Sequence, residues 1–182
     1  MTQPSRELPA SKISTARAVL SLTFRLSAEV ESGRITEKIF REQVQIHTGD
    51  SGLLLPAAPD RTITDLKSGM MNLCVMALGA SALSVDETLG DVFGAADPNA
   101  DTYGLRVMVN QLRNAFAHNP WQARWVIFPK YQKSFLVELR DGTSFTFNAT
   151  SLNGEQIKPE DVGGLEFWVK VLNHCEHWVA GQ

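Results

Sequence analysis

The sequence has few of the features that mark several large protein classes. Only two of its 182 residues are cysteines, Cys74 and Cys175, and both lie in apolar helical patterns, so no disulfide framework is indicated. No charged segment followed by a short apolar run opens the chain, and there is no Gly-rich phosphate loop, nucleophile elbow or metalloprotease motif. We therefore expect a reduced cytoplasmic protein that needs no metal and no cofactor.

The chain also lacks an excess of basic residues and a long apolar run. Lys and Arg number 17 against 20 Asp and Glu, a net charge of −3, so a nucleic-acid partner would need a local basic patch. The uncharged stretch 68–85 is slightly shorter than the roughly 20 apolar residues of a membrane span, and small and polar residues dilute it. It is interpreted as the buried central helix of a soluble protein with no membrane partner.

The remaining composition is that of an ordinary globular domain. Apolar residues make up 43% of the chain and charged residues 20%, which excludes the composition of disorder. Residues 1–12 are expected to form a flexible tail and residues 13–182 a single domain. Apolar residues recur at spacings of three and four in several stretches. These predict helices from about residue 14 to Gly33, from 36 to about 46, from 62 to about 83, from 85 to 93 and from 164 to 179, with an apolar loop at 49–60.

Between the central helices and the last helix the period changes from that of helices to that of strands. Residues 124–128, 134–140 and 143–148 are predicted to be strands. The last two alternate apolar and polar side chains, and Asp141-Gly142 predicts a two-residue hairpin turn between them. So small a sheet needs support from the helices. The sequence therefore predicts a mainly α fold with a small antiparallel β-hairpin inserted at about 123–150, before the last helix.

The stretch around residues 105–118 carries the strongest functional pattern. On a helix, six apolar residues share one arc: Leu105, Met108, Val109, Leu112, Ala115 and Phe116. The opposite arc holds Arg106, Asn110, Arg113, Asn114, Ala117 and His118. That polar face has no Glu or Lys of the kind that fills a merely solvated face, so it is a candidate site.

Spacing decides which of these side chains act together. Asn114 and His118 are four residues apart and are neighbours on a helix, whereas Arg113 and His118 point about 140° apart. Pro120 disfavours helix at Asn119, so His118 lies in or just past the last turn. Local unwinding or a second subunit could bring Arg113 and His118 onto one ligand.

The segment from Arg113 to His118 resembles the HEPN superfamily, the higher eukaryotes and prokaryotes nucleotide-binding domains. The hallmark of that superfamily is an Arg, commonly followed by Asn or another polar residue, and then a His after four to six residues. Arg113, Asn114 and His118 match it position by position. Several toxin members carry a Tyr two residues after the His, where this chain has Pro120, and the inserted hairpin is an elaboration.

The resemblance implies a helical up-and-down bundle that pairs as a homodimer, with the two motif helices lining a shared cleft. Catalytic members are metal-independent endoribonucleases of toxin, antiphage and RNA-processing systems. Arg113 would hold the scissile phosphate, His118 would move protons, and Asn114 would orient one of them, with Asn110, Arg106, Arg124 and Lys130 as substrate-binding candidates. A guanidinium suits a phosphate by charge and geometry, and His titrates near working pH. An antitoxin protein is a candidate partner, and the alternative is a non-catalytic module that binds a nucleotide, an RNA or a protein.

Three motifs have simpler structural interpretations. Arg113 could cap the helix or pair with a local group, and His118 could interact favourably with the helix C-terminus. His174 and His177 lie three apart opposite the apolar stripe that contains Cys175, so no third metal ligand is near them in sequence. A basic and aromatic cluster could stack and contact single-stranded RNA or could only pack the hairpin. Its members are Trp121, Arg124, Trp125, Lys130, Tyr131 and Lys133.

Overall fold

A computed structural model describes residues 7–48 and 51–181, and it is mainly helical. The four α-helices are α1 (Glu7–Glu31), α2 (Ile63–Phe93), α3 (Tyr103–His118) and α4 (Gly164–Ala180). The four strands are β1 (Val44–Thr48), β2 (Ser51–Leu55), β3 (Ser134–Glu138) and β4 (Ser144–Asn148). Short 3-10 helices span Glu37–Phe40, Pro129–Tyr131 and Pro159–Val162. By its internal contacts the chain divides into two units, Met1–Leu20 with Val75–Gln182, and Ser21–Cys74.

The larger unit is built around the buried faces of α3 and α4. On α4, four residues of the predicted apolar stripe, Trp168, Leu172, Cys175 and Val179, are buried, and the fifth, Leu165, is half-buried. The indole Nε1 of Trp168 donates to Ser81 Oγ on α2 at 2.9 Å, which satisfies a polar atom that would otherwise be costly to bury. At the edge of the core, Arg17 of α1 and Glu176 of α4 form a part-buried ion pair at 2.8 Å.

The β3–β4 hairpin packs on α3, as the alternating sequence predicts. Phe135 and Val137 of β3 are buried, and so is Phe147, which lies opposite Phe135 on β4. Gly104 permits the contact with α3, because a Cβ atom at this position would lie 1.9 Å from the backbone oxygen of Leu136. The first turn of α3 therefore approaches the backbone of β3 directly.

The turn and the first predicted strand of this region differ from expectation. The turn has three residues, 140–142, because Leu139 N–H donates to Thr143 O and Gly142 takes a positive φ of 79°. Residues 124–128 form no strand. They are extended and bonded to 154–157 through one isolated bridge, Arg124 to Gln156, and flanking backbone hydrogen bonds. The sequence predicts the extended backbone of 124–128 but does not identify its short partner segment, 154–157.

The smaller unit contains the clearest error of the sequence interpretation. A helix was predicted from 36 to about 46 and a loop at 49–60, whereas β1 and β2 form an antiparallel hairpin with Ile46 opposite Leu53. Residues 49 and 50 lie outside the described residues. Short apolar runs fit a helix or a strand equally well by periodicity, and β-branched residues such as Val44 and Ile46 favour the strand. Leu53, Leu54 and Leu55 are exposed, so this apolar segment does not lie in the core.

The helix boundaries were also predicted incompletely. α1 begins at Glu7, so residues 7–12 are helical and do not belong to a flexible tail, while residues 1–6 lie outside the described part. The helices predicted from 62 to about 83 and from 85 to 93 are one continuous helix, α2. Thr62 caps α2: its Oγ1 accepts from Asp65 N–H, and its own N–H donates to the Asp65 carboxylate.

α2 is only partly buried, which corrects the expectation of a buried central helix. Among the described helices it alone is long and apolar enough to cross a membrane, and 39% of its most apolar window is buried. Ala82, Val85 and Leu89 are fully buried, as in the core helix of a soluble protein, whereas Met71 and Leu83 are exposed. Length and composition alone therefore do not decide its environment.

Candidate functional site on α3

α3 presents the polar residues of the motif along a single helix. Its predicted apolar arc is confirmed, because Leu105, Met108, Leu112 and Ala115 are all buried. The polar residues Arg106, Asn110, Arg113 and Asn114 are partly exposed on the other side, next to the part of α2 that contains Asp86.

A hydrogen-bond network connects three of these side chains, Asn110, Arg113 and Asn114, with Asp86 and Gln111. Arg113 Nη1 donates to Asn114 Oδ1 at 3.1 Å, and Asn114 Nδ2 donates to Asn110 Oδ1 at 3.2 Å. Asn110 Nδ2 in turn lies 3.3 Å from both carboxylate oxygens of Asp86. The buried Gln111 also donates to Asn110 Oδ1, at 3.1 Å. The amides of Asn110 and Asn114 therefore both donate and accept, which fixes their orientation on the polar face.

Asp86 is the functional residue that sequence reasoning missed. Its carboxylate lies 3.9 Å from Arg113 Nε, and its negative charge also acts on Arg106. The polar face of α3 has no acid of its own, and its counter-charge comes from a neighbouring helix. The sequence contained one usable signal: Asp86 is the first charge after the uncharged stretch 68–85, one residue after the buried Val85.

Asn114 and Asp86 hold the guanidinium of Arg113 in place, but some of its N–H donors remain free to bind a ligand. Nε is buried without a hydrogen-bond partner, and 38% of the side chain is exposed. An Arg has five N–H donors, and in the described part of the chain Asn114 is the one hydrogen-bond acceptor of Arg113. The exposed end of the guanidinium can therefore bind an oxyanion while Asn114 and Asp86 maintain its position.

His118 is separated from Arg113 within one chain. α3 remains helical through His118, and the backbone becomes extended at Asn119, with φ of −154°. Local unwinding at the motif is thus not observed, and the angular separation of the two side chains persists. His118 is exposed at the C-terminal end of the helix, where it is available to a second molecule.

Three of the predicted substrate-binding residues line one cavity of about 670 Å³. Arg106, Asn110 and Lys130 face it together with Asp86 and the rings of Tyr103 and Tyr131. Arg106 Nη2 donates to Gly94 O at 2.6 Å, and Lys130 Nζ lies 4.7 Å from the centre of the Tyr131 ring. Burial lowers the pKa of Arg106 from its ordinary value, and the negative charge of Asp86 opposes that shift. The volume suits a small organic ligand.

The basic and aromatic cluster separates into parts with different roles. Trp125 is buried, and its Nε1 donates to Asp161 at 2.8 Å, so it cannot stack on a base. Arg124 donates to Gly154 O at 3.1 Å and does not line the cavity. Lys130 and Tyr131 do line it, whereas Trp121 is 60% exposed elsewhere. Two residues of the cluster, Lys130 and Tyr131, therefore belong to the cavity, and the buried Trp125 does not belong to an exposed surface.

An apolar groove of about 250 Å³ lies on the other side of Arg113. It is formed by α2 and the end of α3, with Met76, Leu83, Phe116 and Pro120 among its walls. Gly79 allows this packing, because a Cβ atom there would lie 2.4 Å from the Phe116 ring. Met76 and Leu83 are 39% and 40% exposed, so apolar surface borders the Arg113 guanidinium.

Within the described residues, no group of three His, Cys, Asp or Glu side chains is placed to hold a metal ion. Comparison of the chain with protein-family models, with curated proteins and with solved structures found no match. The functional assignment therefore rests on the geometry of α3 and its neighbours.

Proposed function

We propose that the chain is a HEPN-like, metal-independent endoribonuclease that acts as a cytoplasmic homodimer, as in toxin or antiphage defence systems. The observation that carries this proposal is the fixed guanidinium of Arg113, oriented by Asn114 beside a cavity with two further cations. Arg106 and Lys130 line the cavity with one carboxylate, Asp86, which also lies 3.9 Å from Arg113 Nε, so basic side chains outnumber acidic ones at this site although the whole chain is negative. A local basic patch is what an RNA partner requires.

The chemistry follows from the residue types. Arg113 neutralises the scissile phosphate, and His118 removes the proton of the ribose 2′-hydroxyl as its oxygen attacks phosphorus. The P–O5′ bond breaks, a 2′,3′-cyclic phosphate forms, and the 5′-oxygen takes up a proton as it leaves. Because both groups act on one phosphate, they must lie within hydrogen-bond reach of it together.

The dimer accounts for the separation of Arg113 and His118 on α3. In a two-fold dimer, His118 of one subunit can reach the Arg113 of the other. The apolar groove supports this arrangement, because Met76 and Leu83 expose apolar surface beside Arg113 that a second subunit would cover. Sedimentation at micromolar concentration is expected to give twice the 20.1 kDa mass of the chain. Leu83→Glu should shift the protein to monomer and remove cleavage, whereas Leu136→Glu, at a residue 54% exposed on β3, should change neither.

The direct test is cleavage of mixed RNA in EDTA. Wild-type protein should cleave, whereas Arg113→Ala and His118→Ala should lose activity by two orders of magnitude or more, since general acid–base catalysis contributes about 10²–10⁴-fold. Arg25→Ala in α1 and His47→Ala in β1 are matched controls at exposed positions of other elements. Absence of cleavage by the wild type, or equal cleavage by all variants, would contradict the enzyme proposal.

A non-catalytic binding module is the second candidate, and the cavity favours it. Arg106, Lys130 and two Tyr rings suit a nucleotide or a short RNA, and His118 is not among the residues that line the cavity. In this case Arg106→Ala and Lys130→Ala should weaken RNA binding while His118→Ala should not. An antitoxin protein would be a further partner of the enzyme, recognised by loss of cleavage when it is added.

A further inference from the structure

A second cavity lies between α4 and the turn of the β3–β4 hairpin, apart from the residues of the α3 site. Its volume is about 260 Å³, just below the roughly 300–1,000 Å³ of typical small-molecule sites, so it suits a small ligand. Lys170, His174 and His177 reach it from α4, and Arg140 and Asp141 reach it from the turn. None of these side chains has a part in the proposed RNA cleavage.

Hydrogen bonds fix different tautomers for the two histidines. The backbone N–H of Arg140 donates to His174 Nδ1 at 3.1 Å, so in the neutral ring the proton is on Nε2. His177 Nδ1 lies 2.8 Å from the carbonyl oxygen of Asn173, which can only accept, so that Nδ1 is protonated. His174 consequently has an Nε2–H donor, and neutral His177 has an unprotonated Nε2.

This tautomer pattern opposes metal binding at the pair. A metal-bound His needs an unprotonated ligating nitrogen and normally donates its other N–H to an acceptor. His174 has the reverse arrangement, because its Nδ1 accepts from a backbone N–H and its Nε2 carries the proton. The free polar atom of His174 is therefore a donor, which requires a ligand with an acceptor oxygen.

The charges around the cavity select an anion. Lys170 and Arg140 supply two positive charges against the single carboxylate of Asp141. That carboxylate is engaged by the N–H of Thr143 at 2.9 Å, and Lys170 Nζ makes only a long 3.5 Å contact with Thr143 Oγ1. Burial lowers the pKa of His174, and the positive charge of Arg140 lowers it further, while the negative charge of Asp141 opposes this shift. The cavity therefore contains the Lys170 ammonium, which makes only one long hydrogen bond, and the neutral His174 ring as a donor, with positive charge in excess around them.

We propose that this cavity is a binding site for a small oxyanion group, a phosphate or a carboxylate. The Nε2–H of His174 and the ammonium of Lys170 donate to it, and Arg140 adds positive charge at the open side. His177 also lines the cavity beside them.

The test uses the full chain labelled with ¹⁵N, whose four histidines are assigned with single His→Gln variants. The ring nitrogen shifts of the unliganded protein should show Nε2–H in His174 and Nδ1–H in neutral His177. Inorganic phosphate, added at constant ionic strength against chloride, should then shift His174 and His177 with saturation and a Kd on the order of 1 mM. His47 should not shift. Acetate in place of phosphate shows whether a carboxylate is also accepted.

Lys170→Gln should weaken phosphate binding about tenfold, since a hydrogen bond from a charged donor is worth about one decade in affinity. Lys12→Gln, at an exposed position of α1, is the matched control and should leave the Kd unchanged. Arg140→Gln should also weaken binding, and unchanged His47 and His118 resonances will show that each variant is folded. Non-saturating shifts, shifts of equal size in Lys170→Gln, or an Nδ1–H tautomer in His174 would overturn the proposal.

Discussion

The substitution Gly104→Ala tests how α3 is held against the hairpin. A Cβ atom at residue 104 would lie 1.9 Å from the backbone oxygen of Leu136, whereas ordinary van der Waals contact begins at 3.4 Å. The helix and β3 must therefore separate by about 1.5 Å, and a backbone oxygen cannot rotate away as a side chain can. Overpacking of this kind typically costs about 1–3 kcal/mol, and we expect about 3 kcal/mol here because the neighbour is backbone.

Urea unfolding followed by circular dichroism measures this change, and hydrogen exchange locates it. The amides of β3 and β4 should exchange faster in Gly104→Ala, because the hairpin loses its close contact with α3. Gly90→Ala is the matched control: Gly90 lies in α2 with no atom within 4 Å of its added Cβ, so alanine should stabilise the protein by about 0.5–1 kcal/mol. If Gly104→Ala were as stable as the wild type, the packing of β3 on α3 described above would be wrong.

Three further predictions concern stability and thiol reactivity. Thr62→Ala removes the cap of α2 and should cost about 1 kcal/mol in urea unfolding; no loss would show that the cap does not stabilise the helix. Ser81→Ala leaves the buried indole N–H of Trp168 without its acceptor and should cost about 1–3 kcal/mol, so a neutral effect would contradict that hydrogen bond. Burial raises the pKa of Cys74 and raises that of Cys175 to about 12, so neither thiol should react with Ellman's reagent at pH 8 until denaturant is added. Rapid reaction of the native protein would contradict their burial.

The sequence predicts the larger unit better than the smaller one for a physical reason. α3 and α4 are amphipathic with a sustained helical period, and in the β3–β4 hairpin a glycine turn and alternating Phe and Val residues agree with each other. β1 has only a few apolar residues, and those of β2 are consecutive. Neither pattern therefore has a period that distinguishes a helix from a strand. Their pairing depends on contacts between the two strands, which no local pattern encodes.

The candidate site shows the same division between local and non-local information. The order of Arg113, Asn114 and His118 is local, and the amphipathic helix that presents them was predicted from spacing. Asp86 is 24 residues from its partner Asn110 and belongs to another helix, so its contact depends on tertiary packing. For this reason the sequence revealed the donors of the site and not their counter-charge.

The shared site makes a specific prediction about mixtures of inactive variants. Arg113→Ala and His118→Ala each lack one member of the pair in both sites of a homodimer. In a mixed dimer, however, the intact Arg113 of one subunit meets the intact His118 of the other, which restores one site of two. Since random exchange makes about half of the dimers mixed, an equimolar mixture should reach about one quarter of the wild-type rate.

The most direct measurement is therefore RNA cleavage by the equimolar mixture, after subunit exchange and in EDTA. The proposed dimeric ribonuclease predicts two inactive proteins that together recover about a quarter of the wild-type activity. If wild-type protein cleaves RNA but the mixture remains as inactive as either variant, Arg113 and His118 do not complete a site between subunits, and the proposed mechanism is wrong.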